Sequence, residues 1–190
     1  MGLPRKLKAM AIFVDGVHYA GECTEATPPT LERETEDYRA GGMNGPVKID
    51  MGGKEMILTL KMAGHVAALI AKYGGALSGT LLRLVQAVQA DDSERVEGVE
   101  IVCRGRLVKF DPGKAKTGDM TEHEYEFALS YLKWVDNGNT LVEIDYLNMI
   151  EVVGGVDRVA QTRAVLRAKI RSHNLSGTTP KPPSNQETLP

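Results

Sequence analysis

Apolar and polar residues alternate along several stretches of the chain, with the two-residue period of a strand that buries one face. The clearest stretch is residues 55–62, where one face holds only apolar side chains: Met56, Leu58, Leu60 and Met62. Similar patterns predict strands at residues 80–90, 99–110, 121–135 and 140–146. The chain is therefore expected to consist mainly of β-strands.

The predicted strand at residues 121–135 has two faces of very different character. One face holds His123, Tyr125, Phe127, Leu129 and Tyr131. The other face holds Glu122, Glu124, Glu126, Ala128 and Ser130. Because successive side chains of a strand point to opposite sides, the glutamates are expected to form an acidic row that faces water.

Two dipeptides predict tight hairpin turns. Asp15-Gly16 interrupts a β-prone run at residues 10–20, and Asn137-Gly138 separates the predicted strands 121–135 and 140–146. The strands on either side of each turn are expected to pair. Together with the alternating faces, these hairpins favour an antiparallel β-sandwich or partly closed barrel, with one short internal helix and a C-terminal helix.

A polar, turn-rich stretch at residues 21–46 shows no clear helical or strand period. A connection of that length is unusual inside a compact domain. Residues 24–46 are therefore predicted to form a loop or hairpin that projects beyond the fold. Long hairpins with exposed edges favour pairing with another chain.

Two helices are predicted. The alanine-rich residues 66–73 indicate a short helix that ends at Gly74-Gly75, and helical spacing after Gly154-Gly155 indicates an amphipathic helix to about Arg171. The residues that follow, 172–190, are rich in Pro, Ser and Thr and are predicted to be a disordered tail. One domain of residues 1–171 is expected.

Composition narrows the possible functions. An apolar content of 42% and a net charge of -2 are typical of a folded globular protein without a global basic field for gripping nucleic acid. No apolar run approaches the ~20 residues that cross a bilayer, and the N-terminus lacks a secretory signal. The chain is therefore expected in the cytosol, without membrane insertion.

No pattern of reactive residues indicates an enzyme. Cys23 and Cys103 are expected to be reduced thiols in or near the core, and the four histidines are scattered without metal-ligand spacing. The glycine-rich segments 41–46 and 154–156 lack phosphate-loop and dinucleotide fingerprints. A solvated face is a better account of the acidic row than a catalytic pair. We predict no catalytic residue, cofactor or metal.

Several segments carry a resemblance to one protein family. They are LPRKLK at residues 3–8, DGV at 15–17, YAGE at 19–22, YRAGGMNGPV at 38–47, EIV at 100–102, RGR at 104–106, TEH at 121–123, ID at 144–145, LNM at 147–149 and GVDR at 155–158. In these segments the chain resembles the major tail tube proteins of contractile-tailed phages, a family shared with the tubes of R-type pyocins. The segment 38–47 is the most specific. Residues beyond Ile170, together with Cys23 and Cys103, depart from the family pattern.

The resemblance implies a subunit that forms hexameric rings, which stack into a tube inside a contractile sheath. The implied partners are further copies of the chain, the tail sheath protein, and the baseplate and tail terminator proteins. DNA would pass through the lumen without specific binding. The implied location is the virion, after assembly in the cytoplasm of the bacterial host.

The resemblance also suggests roles for two sets of residues. Contacts between rings or subunits are expected from Tyr38, Arg39, Gly41, Gly42, Met43, Asn44, Gly45 and Pro46. Glu122, Glu124 and Glu126 are candidates for the lumen wall, since acidic side chains repel phosphate.

Two other functions remain open. The first is the tube of a phage-like injection device, either an R-type bacteriocin or a type VI secretion-like tube, which carries no genome. The second, less favoured, is a monomeric β-barrel binding module. Such a module needs aromatic and basic residues on one sheet face, and aromatic residues make up only 5% of this chain.

Overall fold

The structure is a computed structural model that describes residues 3–118 and 121–175, with side chains of the last helix described to Arg167. The twelve strands of this part of the chain are β1 (Arg5–Val14), β2 (Val17–His18), β3 (Cys23–Thr27), β4 (Arg33–Tyr38), β5 (Val47–Gly53), β6 (Met56–Ala63), β7 (Thr80–Ala90), β8 (Val96–Asp111), β9 (Glu122–Asp136), β10 (Asn139–Asp145), β11 (Ile150–Val153) and β12 (Val156–Asp157). The helices are α1 (Ala67–Ile70) and α2 (Ala160–Leu175).

Ten strands form one antiparallel sheet, in which the path runs β12-β11-β10-β9-β8-β7-β1-β2. Strand β9 joins its two branches. One edge of β9 pairs with β8, whereas the other pairs first with β6, at residues 122–129, and then with β10, at residues 131–136. Strand β3 adds to β6. The mainly β antiparallel fold predicted from the sequence is confirmed.

The core lies between the strands that the alternating pattern predicts. Its largest fully buried side chains include Ile12, Met56, Leu58, Leu60, Met62, Leu69, Leu82, Leu84, Ile101, Leu107, Tyr125 and Phe127. The apolar face of β6 is buried at every second residue, as the alternation requires. Leu69 of α1 closes one side of this cluster. Burial of each large side chain contributes about 1.5–3 kcal/mol to folding.

A β-bulge changes the predicted faces of β9. Tyr131 pairs with Arg104, and Leu129 pairs with Gly105, so Ser130 is an extra residue on this strand. The bulge shifts the alternation by one position. Leu132 is therefore buried, while Tyr131, predicted to share the face of Tyr125, is only half-buried and donates a hydrogen bond to Glu143.

Gly105 is required opposite this bulge. A Cβ atom at Gly105 would lie 2.3 Å from the carbonyl oxygen of Ala128, a contact that backbone atoms cannot relieve without moving the strands. The close approach of β8 and β9 at the junction of the two branches therefore depends on this glycine.

Several element boundaries differ from the predictions. The short helix is only α1 (Ala67–Ile70), followed by a turn, and residues 150–157 form two short strands that were not predicted. Helix α2 begins at Ala160 and continues past Arg171 to Leu175, since no Pro or Gly interrupts it. The remainder of the predicted tail, residues 176–190, lies outside the described residues.

Candidate functional site

The segment predicted as one projecting excursion, residues 24–46, is divided in the structure. Residues 23–27 form β3 in the main sheet, because Ala26 and Thr27 pair with Leu60 and Thr59 of β6. Strands β4 and β5 form a separate two-stranded hairpin, in which Tyr38 pairs with Val47. Tyr38 ends β4, and the other predicted contact residues, from Arg39 to Pro46, lie in the loop that closes this hairpin.

One face of the hairpin carries an exposed apolar strip. Tyr38, Val47 and Ile49 share this face, and their exposed fractions are 51%, 48% and 45%. Glu34 and Glu36 lie on the same face, toward the base. We call these five residues the hairpin strip. No described residue covers them, so the strip is available to another protein surface.

The opposite face of the hairpin is clamped to the main sheet at its base. The Arg33 guanidinium binds the carboxylate of Asp50 on β5 and, at 2.7 Å from Nη1, the carboxylate of Glu151 on β11. Arg33 thereby lowers the pKa of Asp50, and the two carboxylates raise the pKa of Arg33. Tyr146 donates a hydrogen bond of 2.6 Å to the carbonyl oxygen of Lys54. These contacts set the direction in which the hairpin projects.

A groove lies between this base and the end of the main sheet. Its walls combine apolar side chains with a charged rim, and it encloses about 200 Å³. The apolar wall consists of Leu31, Val142, Ile144, Tyr146 and Val153, and the rim of Glu32, Arg33, Glu151 and Arg158. We call this feature the base groove.

Strand β1 has an open edge. One edge pairs with β7 along residues 5–14, but β2 pairs with the other edge only at Phe13 and Val14. Within the described residues, no strand pairs with the outer edge of residues 5–11. Charges hold β1 on its own sheet: Arg5 binds Glu97 and Asp136, and Lys8 binds Asp91 at 2.7 Å. Such charges on an edge strand also limit indiscriminate pairing.

The predicted acidic row lies on the outward face of β9. Glu122 is exposed, and Glu124 and Glu126 are half-buried. Lys109 on β8 binds both Glu124 and Glu126, which raise its pKa. Lys61 on β6 pairs across from Glu124 and binds Glu25. The row is therefore acidic but partly neutralised by two lysines, which the sequence pattern did not reveal.

The remaining reactive side chains have packing roles. Burial raises the pKa of the Cys103 thiol to about 12, and Cys23 is also a free thiol. The buried His123 ring packs against Phe110 and His65, with ring centroids 5.6 and 5.8 Å away. Across residues 3–118 and 121–175, no three His, Cys, Asp or Glu side chains are grouped for metal binding.

Two features of these surfaces, strand β5 and the base groove, were not predicted from the sequence. The alternation Val47-Lys48-Ile49-Asp50-Met51 is a strand signal, but the polar stretch before it hid the hairpin partner. The base groove had no local signal, because Leu31, Val142 and Val153 meet only in the folded chain. Separately, no helix among the described residues is long and apolar enough to span a membrane.

The sequence is similar to those of known proteins over most of its length. A family model described as phage tail tube protein FII matches residues 4–166. The tail tube protein of Escherichia phage P2 is 37% identical over 167 residues, which cover 86% of this chain and 97% of that protein. The major tail tube protein of Serratia phage KSP20 is 38% identical over 152 residues, covering 79% and 88%.

Solved structures share the fold at low sequence identity. The sheath/tube terminator of the extracellular contractile injection system PVC has a TM-score of 0.54 at 10% identity, covering 70% of this chain and 96% of that chain. The tube-terminating cap of the anti-feeding prophage has a TM-score of 0.54 at 12% identity, covering 72% and 93%. At these identities the likeness concerns the fold alone.

Proposed function

This chain belongs to the phage tail tube protein FII family, and from that premise we propose that it assembles as stacked hexameric rings into the inner tube of a contractile phage tail. The tube is the conduit through which DNA leaves the virion and enters the host. Its subunit is a structural protein rather than an enzyme, made in the host cytoplasm and retained in the tail.

The observation that carries the proposal is the open edge of β1. Residues 5–11 present backbone N–H and C=O groups on the side away from β7, and no described strand accepts them. Addition of a neighbour's strand satisfies such groups and gives rigidity through main-chain hydrogen bonds. In a closed ring every copy is completed by the next, so no edge is left free.

The hairpin supports contact between rings. Its loop carries Arg39, Gly41, Gly42, Met43, Asn44, Gly45 and Pro46, and Tyr38 stands at the end of β4. Among the described residues, β4 and β5 pair only with each other, so the hairpin contributes little to the core of the subunit. We assign this segment to contacts with the adjacent ring.

The acidic row is our candidate for the lumen wall. DNA carries one negative charge per ~1.7 Å of helix axis, so a wall that lets it slide should repel phosphate. Glu122, Glu124 and Glu126 outnumber the neighbouring lysines: Lys109 binds Glu124 and Glu126, whereas Lys61 binds Glu25. A mildly acidic wall repels DNA without imposing strong repulsion between neighbouring subunits.

The lumen assignment predicts a functional effect without loss of fold. Reversal of Glu122, Glu124 and Glu126 to Lys removes surface ion pairs, which contribute about 0–1 kcal/mol each, and places like charges beside Lys61 and Lys109 at a similar small cost. Rings and tubes should form, whereas DNA ejection should slow because phosphate binds the new lysines. Ejection is measured by dye release from purified virions. Unchanged ejection kinetics would remove these residues from the wall.

The tube requires further partners. A tail sheath protein is expected around it, a baseplate at one end and a terminator at the other, with DNA passing without specific binding. A second candidate, the tube of an injection device without a genome, has the support of the fold likeness to PVC and anti-feeding prophage structures. The phage function has the stronger support, because the phage relatives are 37–38% identical.

Negative-stain microscopy of the purified full chain tests the proposal. Hollow rings or tubes are expected once the protein concentration is high enough for the open edge of β1 to pair with a neighbouring copy. A monodisperse monomer at every concentration and salt condition would contradict it.

A further inference from the structure

We propose that the base groove of one copy receives the hairpin strip of a second copy in the adjacent ring. This inference rests on the proposed function and names the two surfaces through which rings stack. The hairpin strip is the partner that enters, and its apolar residues are Tyr38, Val47 and Ile49. The base groove is the concave partner, lined by Leu31, Val142, Ile144, Tyr146 and Val153.

The two surfaces of one copy cannot meet. Arg33 and Gly53 lie on the hairpin face turned to the base groove, since Arg33 binds Glu151 and Gly53 touches Tyr146. The hairpin strip occupies the opposite face and extends to Tyr38, about 17 Å along the strand from Arg33 at 3.2–3.4 Å per residue. The clamp at Arg33 and Tyr146 prevents the hairpin from folding back. The strip must therefore find its groove on another molecule.

The two surfaces match in their apolar character. A groove of about 200 Å³ has room for a few apolar side chains. The strip supplies a row of three exposed apolar residues. Covering both removes apolar area from water, which favours association. Neither surface is covered by any described residue of its own chain.

The charges are also complementary. Glu34 and Glu36 on the hairpin strip form no salt bridge with any described residue. Arg158 on the groove rim likewise has no carboxylate within ion-pair range in the described part of the chain, its backbone N–H being bonded to Glu151. Glu34 lies near enough to Lys54 to help raise its pKa, so Glu36 is the carboxylate that an approaching strip offers to the Arg158 guanidinium. Pairing of this kind fixes register and selects the partner.

A second copy is a better occupant than the chain's own C-terminal residues. Residues 176–190 contain a single large apolar side chain, Leu189, which cannot fill an apolar wall of five residues. A strip and a groove that are different surfaces of one subunit make a head-to-tail contact, and such contacts repeat without limit unless they close. Stacked rings require a contact of this type.

Three variants of the full chain test the contact. Ile49→Lys places a charge in the centre of the strip, Glu36→Lys reverses the free carboxylate, and Arg158→Glu reverses the rim. Each should leave rings intact and raise the concentration at which tubes appear by about tenfold or more. The charge exchange Asp37→Lys/Lys48→Asp is the matched control, because this exposed ion pair lies on the opposite face of the same hairpin, toward the loop. It should form tubes like the unmodified chain.

Combination experiments separate a direct contact from an indirect effect. The double variant Glu36→Lys/Arg158→Glu restores the charge pair between copies and should recover tube formation. In a mixture of preformed rings, the unmodified strip of Arg158→Glu rings can enter the unmodified groove of Ile49→Lys rings, but the reverse contact is blocked. Pairs of stacked rings should therefore form in place of tubes. Particle lengths in electron micrographs provide the readout.

The outcomes distinguish this inference from the proposed function. Tubes of normal length from Ile49→Lys at normal concentration would overturn the strip–groove contact while leaving the tube function intact. Failure of the charge swap, with both single variants defective, would also overturn it. Failure of the unmodified chain to form rings would instead contradict the proposed function.

Discussion

The β4–β5 hairpin directly precedes strand β6 in the chain, yet the two lie in different environments. In β6, Met56, Leu58, Leu60 and Met62 are buried in the core. Every residue of β4 is exposed, and β5 leaves Val47 and Ile49 about half exposed. Both segments form regular strands, so strand formation does not require burial within the subunit. The proposed function assigns the first segment to the folding of the subunit and the second to contact with other copies.

The hairpin is ordered through its base rather than through a core. Arg33, Tyr146 and the backbone of Lys54 connect it to the main sheet. Exposed ion pairs of this kind contribute little to global stability. They restrict the direction of the hairpin, which reduces the conformational entropy lost when a partner binds. The hairpin is therefore held in one direction at small energetic cost.

The largest difference in unfolding free energy is expected when one apolar side chain is truncated in the core and another on the hairpin. Phe127→Ala removes a fully buried ring from the core and should lower the free energy of unfolding by about 3–5 kcal/mol. Val47→Ala on the hairpin should change it by less than about 0.5 kcal/mol. Urea denaturation of the unassembled subunit measures both. A comparable loss from Val47→Ala would show that the hairpin belongs to the folding unit.

A smaller effect is expected where the hairpin meets the sheet. A Cβ atom at Gly53 would lie 2.5 Å from the Tyr146 hydroxyl oxygen, so Gly53→Ala should displace this side chain and cost about 1–3 kcal/mol. Gly41→Ala is the control, since nothing lies within 4 Å of its Cβ position. Thermal unfolding measures the difference.

The cause of that loss can be checked with a second substitution. Tyr146→Phe removes the oxygen that the methyl group introduced by Gly53→Ala would meet. The double variant should therefore lose less stability than the sum of the two single variants. Strict additivity would show that Gly53 is needed for another reason.

The smallest effect on folding is expected from shortening the hairpin loop. Because Tyr38 pairs with Val47, residues 39–46 can be replaced by Asn-Gly, which forms a tight two-residue turn. Stability should be nearly unchanged, but stacking should be lost, leaving rings or a soluble subunit. Circular dichroism and electron microscopy provide the two readouts. Tubes of normal length from this variant would contradict the assignment of the loop to ring contacts.

The contrast between the two regions also explains which features the sequence predicted. Alternation identified β6, β7 and β9 because their faces differ sharply in polarity, and Asp15-Gly16 and Asn137-Gly138 identified the tight turns. Burial within the same chain leaves a local signal. The Ser130 bulge left none that periodicity could detect, so Tyr131 was assigned to the wrong face.

The assembly surfaces were only partly predictable. The turn-rich pattern predicted that the segment containing the loop from Arg39 to Pro46 projects, whereas its role in ring contacts came from the resemblance to a family. The lysines that neutralise the acidic row lie on β6 and β8, distant in sequence from β9. In the base groove, Leu31 lies beside Val142 and Val153, which are distant from it in the sequence. Such features depend on sheet topology, which local periodicity does not specify.

Hydrogen exchange at the β1 edge tests most directly whether neighbouring copies complete the sheets. Alternate amides of residues 5–11 that point away from β7 should exchange quickly in the unassembled subunit and become protected in the tube, whereas amides in the β6–β9 ladder should be protected in both. Tubes in which the outward amides of β1 exchange as rapidly as in the free subunit would contradict the account.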